Sequence, residues 1–537
     1  MPAPPPPTLR LAALLVPFLS VPCPRDAAAY HEDMHQFIAR QALRGAGLDR
    51  QARPIPPGAP AALRAVLSNF ARSDPTLAPQ WQRRYPSAES FDAWALKELL
   101  LLEPSAQVFG IDRLEAPQGT LLELVALGAR EPDDDRRNRD RLGYDAQRKP
   151  LRDARGRLVP ADPALLNMGR LGALSSQAHA HYGLAQVMLS DDPKVLKTDP
   201  RRFAVAAGYP PGPILTLAAE MAQAHLDLAL LAALLPEEAS PELSMRYTGQ
   251  AFHYLQDVSN QIHTVQVGLY DFFVDAFKAR LKMAVLSGGG YFGPLRSLAS
   301  IGIDILTNHH TLAEALTRKR VLEALHGKSS PSAARLVAAA AEDDPDFGRQ
   351  LDEVLAALGP APERGEFGLA ITRAVIEASS REGVDVYRAT RAIASPRLRQ
   401  EGEHLDDHDD PDRNVVPPGP EVERAYAEYF ALQERAFRRC GTAMRRWLGL
   451  QNKLLNALHT PEARAEVRAE VAGRLLRRQL RLLGEAEARR QDYLRMPPEE
   501  ATPPERMPAV LVAQGVGLAL VGLLVWAALR RRRRATA

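Results

Sequence analysis

Cysteine is almost absent from this 537-residue chain, which has 2, Cys23 and Cys440. Cys23 falls in a leader expected to be removed, so a mature chain would keep Cys440 alone and no internal disulfide could brace it. Aromatic residues make up only 6%, and runs of β-branched residues are scarce, which leaves little from which to build sheet. A strong net charge is also missing. The whole chain carries +3 at pH 7, five arginines sit together at its extreme C-terminus, and the body between the two ends is near neutral. That balance gives no support for a nucleic-acid-binding surface. No repeat of solenoid period is present. The acidic stretch from Glu403 to Asp412 fits no calcium-loop spacing and reads as a solvated loop.

What the chain does have is Ala, Leu and Arg in quantity, with apolar residues recurring at three- and four-residue spacing. Helices are therefore expected almost throughout, an all-α fold. With 46% hydrophobic and 25% charged residues, a chain of this length can bury a large core and hold two or three domains. The ends read as targeting segments. Leu11 to Val21 is a short apolar run after Arg10, and Ala27-Ala28-Ala29 follows as an A-x-A site, so residues 1–29 are expected to be a secretory signal removed before Tyr30. Lipidation at Cys23 is the rival reading, and Val21-Pro22 suits it poorly. Ala509 to Leu529 carries no charge and is long enough to cross a bilayer. Arg530 to Arg534 follow at once, which by the positive-inside rule leaves residues 530–537 cytoplasmic. The expected arrangement is an extracytoplasmic body, a Pro/Glu linker over 497–508 and a single-pass C-terminal anchor at 509–529.

The chemistry concentrates around a helix whose start is marked by Ser240 as N-cap and Pro241 at the first helical position. His253 and Asp257 lie four apart on it, so they project from one face. His263 follows Ser259-Asn260, where the helix should end or kink. Two imidazoles and a carboxylate converging in this way make a nest for zinc. His310 and Glu314 form a second i, i+4 pair, and His35 sits on a short helix starting at Glu32-Asp33. Asp133 follows Pro132 at the edge of a long charged loop over 131–163, with Asp134 competing for the same role. His179 and His181 point in nearly opposite directions on a helix, so only one can face a given site, and His181 is favoured. Any one of these residues alone reads as a packed histidine or a solvated acid; the joint pattern is what points to metal.

His253-Tyr-Leu-Gln-Asp257 with His263 resembles the signature helix of the zinc-dependent phospholipase C family, which is similar in fold to the single-strand-specific zinc nucleases. The resemblance implies a multi-helix domain over 30–330 that holds three zinc ions. Their ligands would be the amino group and carbonyl of Tyr30, where the family normally has Trp, together with His35, Asp133, His181, His253, Asp257, His263, His310 and Glu314. Asp257 would bridge two ions, and His263, His310 and Glu314 would hold the remaining one. The implied reaction is hydrolysis of a phospholipid to diacylglycerol and a phosphorylated head group by a zinc-bound hydroxide, with Asp133 orienting or deprotonating the water. A single-strand nuclease and a non-catalytic helical envelope scaffold are the alternatives. The helical region 331–496 has no counterpart in the resemblance.

Overall fold

The structure, a computed structural model, describes residues 32–95, 119–133, 181–188, 197–198, 217–236, 239–266, 275, 298–327, 330–400, 405 and 410–495. Tyr30, His179, Asp134, the expected signal and the expected 509–529 span lie outside the described residues. Among the described residues, no helix is long and apolar enough to cross a membrane.

Among the described residues the fold is all-α apart from three very short strands. The N-terminal part contains α1 (Glu32–Ala42), α2 (Ala59–Ser73), α3 (Ala78–Arg84), α4 (Ala88–Trp94) and α5 (Leu121–Arg130), the last followed by a 3-10 turn over Glu131–Asp133. Strands β1 (Gln186–Met188) and β2 (Lys197–Thr198) come next, then α6 (Ala218–Ala233), α7 (Pro241–Ser259), a 3-10 turn at Gln261–His263, and β3 (Val265–Gln266). Beyond these run α8 (Leu298–Leu325), α9 (Pro331–Ala339), α10 (Pro345–Ala357), α11 (Gly368–Ser380), α12 (Gly383–Ile393) and α13 (Pro396–Gln400). Two long helices close the described chain, α14 (Pro420–Ala457) and α15 (Pro461–Arg495).

Local chemistry explains the main boundaries. Ser240 is extended, its Oγ accepts from the Leu243 N–H, and Pro241 takes the first helical position, so α7 starts as its sequence requires. Asn260 leaves helical geometry (ψ 121) and ends it. After α1, Gly45 adopts φ +78, a conformation that costs glycine little and other residues more.

Helix α7 is the axis of the molecule: every residue from Glu242 to Ser259 is buried. Such a helix would ordinarily be apolar all round, yet this one carries Arg246, Thr248, Gln250, His253, Gln256 and Asp257 into the interior. Burial of that kind is stable only where each group is paired. Arg246 Nε donates to Glu131 at 2.9 Å, Gln250 donates to the same carboxylate, and Thr248 shares hydrogen bonds with Gln451 of α14. Its neighbours include α5 and α6 on the N-terminal side of the sequence and α11 and α14 from beyond residue 330. The crossing with α5 is close because both helices have glycine there. A Cβ on Gly128 would collide with the Arg246 carbonyl oxygen, and one on Gly249 with that of Val125.

One hydrophobic cluster runs from Met34 to Leu483 and includes Phe252, Phe367, Phe437 and Trp447. Trp447 meets Phe252 and Phe367 edge-on at 5.6 and 5.7 Å. The region after residue 330 therefore shares its core with the region before it. The strands form a small sheet in the order β2-β1-β3, with β1 antiparallel to β2 and parallel to β3. The chain leading into β1 serves the site: Gly183 N donates to His263 O and Ala185 N to Thr264 O, laying the segment after His181 beside the end of α7.

Candidate metal centre

Four elements bring six of the expected ligands into two buried groups. His35 of α1 with His253 and Asp257 of α7 forms the first, and His263 of the 3-10 turn with His310 and Glu314 of α8 forms the second; within each group the candidate ligand atoms lie within 4.8 Å of one another. The i, i+4 spacing of His253/Asp257 and of His310/Glu314 does on these helices what the sequence requires of it. The kink at Asn260 turns His263 away from the first group and toward Glu314.

His181 joins the first group. Its Nδ1 lies 2.8 Å from Asp257 Oδ2 and 2.8 Å from His253 Nε2. On the opposite oxygen of the same carboxylate, His35 Nε2 stands 3.4 Å from Asp257 Oδ1. Asp257 thus faces His35 on one side and His181 with His253 on the other, all completely or nearly completely buried. In the second group, His263 Nε2 and His310 Nε2 are each 3.2 Å from Glu314 Oε1. The two groups are joined through a shared residue, since His263 Nδ1 donates to the His181 carbonyl at 3.3 Å.

The imidazoles are held by partners on their far nitrogens. His253 Nδ1 donates to the Ala129 carbonyl at 2.7 Å, and His35 Nδ1 donates to Gln256 Oε1 at 2.6 Å. A carbonyl can only accept, so His253 and His263 have their proton on Nδ1 when neutral and turn the Nε2 lone pair inward. Tyr182 OH lies 3.2 Å from His310 Nδ1, and its ring packs on His263 at 4.6 Å between centroids. Such outer partners fix ring orientation around metal sites. Burial pushes the His263 pKa down, with the His310 charge acting the same way against the opposing pull of Glu314. For Glu314 burial acts upward, but the His310 charge and the close contacts with the His263 and His310 rings outweigh it, so its pKa is lowered. The neutral imidazole and ionised carboxylate that result are the forms in which these groups bind metal.

No family model, curated protein or solved structure matches the chain. The donor set must therefore be judged on its own chemistry. Imidazole nitrogens and carboxylate oxygens, gathered in a dry interior and oriented from behind, fit a metal ion; either group can hold one.

The remaining expected ligands stand as follows. Asp133 ends the 3-10 turn after α5, and the turn is tied to α7 through Glu131, whose carboxylate accepts from Arg246 and Gln250. The Asp133 side chain and Tyr30 lie outside what is described. His309, next to His310, is buried with its ring 5.6 Å from that of Tyr387. Sequence reasoning did not find Gln256, Tyr182 or the Ala129 carbonyl. Gln256 and Tyr182 each adjoin an expected ligand in sequence, but a backbone carbonyl carries no residue-type signal at all.

Proposed function

We propose that this protein is a zinc-dependent phosphodiesterase of phospholipase C type, acting on phospholipid. What carries the reading is the convergence of His35, His181, His253 and Asp257 in one buried group, next to His263, His310 and Glu314 in another. Imidazole with carboxylate suits zinc better than calcium or magnesium, which favour all-oxygen sites. Three ions are proposed, as the resemblance to zinc-dependent phospholipases C implies, with Asp257 shared and the Tyr30 amino terminus contributing once the leader is removed. When bound, zinc ions polarise phosphoryl oxygens, lower the pKa of water and stabilise a leaving alkoxide.

The chain's own residues supply the rest. Asp257 orients His181 and His253, the Ala129 and His181 carbonyls hold the acceptor nitrogens of His253 and His263 inward, and Asp133 is the carboxylate proposed to orient the attacking water. The charge-free 509–529 segment followed by five arginines supports an extracytoplasmic body tethered beside a lipid substrate.

Metal content and activity on the purified chain test this. Two or three zinc ions per chain and release of phosphocholine from phosphatidylcholine are expected, and His253→Ala should lose both. Digestion of single-stranded DNA in place of lipid would move the assignment to the nuclease branch. A chain that purifies and is reconstituted without zinc would leave only a helical scaffold.

A further inference from the structure

Gln256 stands out among the buried polar residues of α7. It neighbours Asp257 in sequence and reaches the same group from behind His35: its Oε1 accepts from His35 Nδ1 at 2.6 Å. Its amide nitrogen points the other way, 3.8 Å from Met444 Sδ on α14. Gln256 and Met444 are both fully buried. The Met444 sulfur also receives the Cys440 thiol at 3.8 Å, so the amide lies against a buried, sulfur-lined wall.

A glutamine amide is an acceptor at one end and a donor at the other, and the two ends decide opposite imidazole tautomers. With Oε1 toward His35, Nδ1 carries the proton and Nε2, facing Asp257, is the nitrogen with the lone pair. With the amide reversed, its NH2 would meet Nδ1, which could then only accept. The proton would move to Nε2, and His35 could no longer give that nitrogen to a metal. Thioether sulfur is a weak acceptor and has no proton to donate. It tolerates the NH2 end of the amide and gives the oxygen end nothing, so the sulfur wall favours one of the two orientations.

We infer that Gln256 is a positioning residue which selects the metal-binding tautomer of His35, and that Met444 of α14 keeps its amide turned the right way. This gives the region beyond residue 330 a part in the metal centre itself, and it rests on the reading of His35, His253 and Asp257 as a metal group.

The test uses the full chain and zinc as the probe. Gln256→Leu keeps the volume and removes the acceptor; Gln256→Glu keeps an acceptor at the same reach. Zinc affinity of the first group should fall roughly 10- to 100-fold in Gln256→Leu and stay within a few-fold of wild type in Gln256→Glu, while the second group is unaffected. Imidazole 15N shifts of the metal-free protein should show His35 protonated on Nδ1 in the wild type and in Gln256→Glu. Equal zinc loss in both variants, or none in Gln256→Leu, overturns the inference, as does a wild-type His35 protonated on Nε2. If Gln256→Leu does not fold, Gln256→Glu and the wild-type spectrum still decide it. A wild-type chain that takes up no zinc but keeps the Nδ1–H tautomer removes the metal reading while upholding the tautomer selection.

Discussion

Asp227 is a buried point at which α15 is fastened to α6, and replacing it with asparagine should be among the most damaging single changes. It lies on α6 and is fully buried. Oδ1 accepts from Arg474 Nε at 3.1 Å, Arg474 Nη2 at 2.7 Å and Gln223 Nε2 at 2.8 Å; Oδ2 accepts from Arg478 Nη1 at 2.9 Å. Both arginines belong to α15. An asparagine keeps the shape but offers one oxygen and an NH2, so at least one guanidinium would face a donor. Removing one partner of a buried pair costs about 3–5 kcal/mol. Arg478 keeps Glu220 at 2.7 Å, whereas the next carboxylate for Arg474 is Glu366, half-exposed and 3.7 Å away. One stranded charge rather than two places the expected loss near the low end, about 3 kcal/mol, or roughly a 100-fold change in the unfolding equilibrium. Urea unfolding of Asp227→Asn, followed by far-ultraviolet circular dichroism, measures this directly. Pairing Asp227→Leu with Arg474→Met should recover most of the loss, because an apolar pair leaves no charge to strand. A loss below about 1 kcal/mol for Asp227→Asn, against the typical cost of such a break, would refute the claim that this cluster pins α15.

Three further outcomes are expected. Gly128→Ala should force α5 and α7 apart, costing about 1–3 kcal/mol as overpacking does, and should weaken zinc retention by drawing the Ala129 carbonyl from His253; a variant with unchanged melting temperature and metal content would contradict the close crossing. Tyr429→Phe removes the hydroxyl that meets Thr317 Oγ1 at 2.8 Å and the Ala313 carbonyl, so it should cost about 1 kcal/mol in urea unfolding, and a neutral result would count against that contact. The pKa of Glu382 is lowered: burial acts upward but is outweighed by the Arg439 charge and by hydrogen bonds from Gln261 and Arg435. A depressed carboxylate contributes stability that is fully present above its unfolded value, 4.5, and is lost as pH falls through the folded value. Melting temperature should therefore drop as pH falls below about 5, and less steeply in Glu382→Gln; parallel profiles would exclude the effect.

The helical class and the start of α7 were legible because both rest on local rules: three- and four-residue apolar spacing, and a serine ahead of a proline. The pairs His253/Asp257 and His310/Glu314 were legible for the same reason, since spacing alone puts them on one face. That His35 and His181 would meet them came from a resemblance and not from spacing. What lay beyond the sequence were partners chosen by packing. Arg246 and Gln250 look like solvent-facing residues until Glu131 is seen beside them, and Gln256 looks ordinary until His35 and Met444 appear on either side. Nothing local marks that α14 would cover the helix carrying His253 and Asp257.

Every residue of the two groups is encoded before position 315, yet α7 receives Met444 and Gln451 from α14, the 3-10 turn after it receives Gln433, and its neighbour α6 waits for Arg474 and Arg478 of α15. On a growing nascent chain, the front portion therefore emerges with Asp227 and Gln256 still facing water and with no finished interior. Any metal the two groups take up would then wait for α14 and α15, and a message truncated near codon 430 would yield all of these imidazoles and carboxylates without their surroundings.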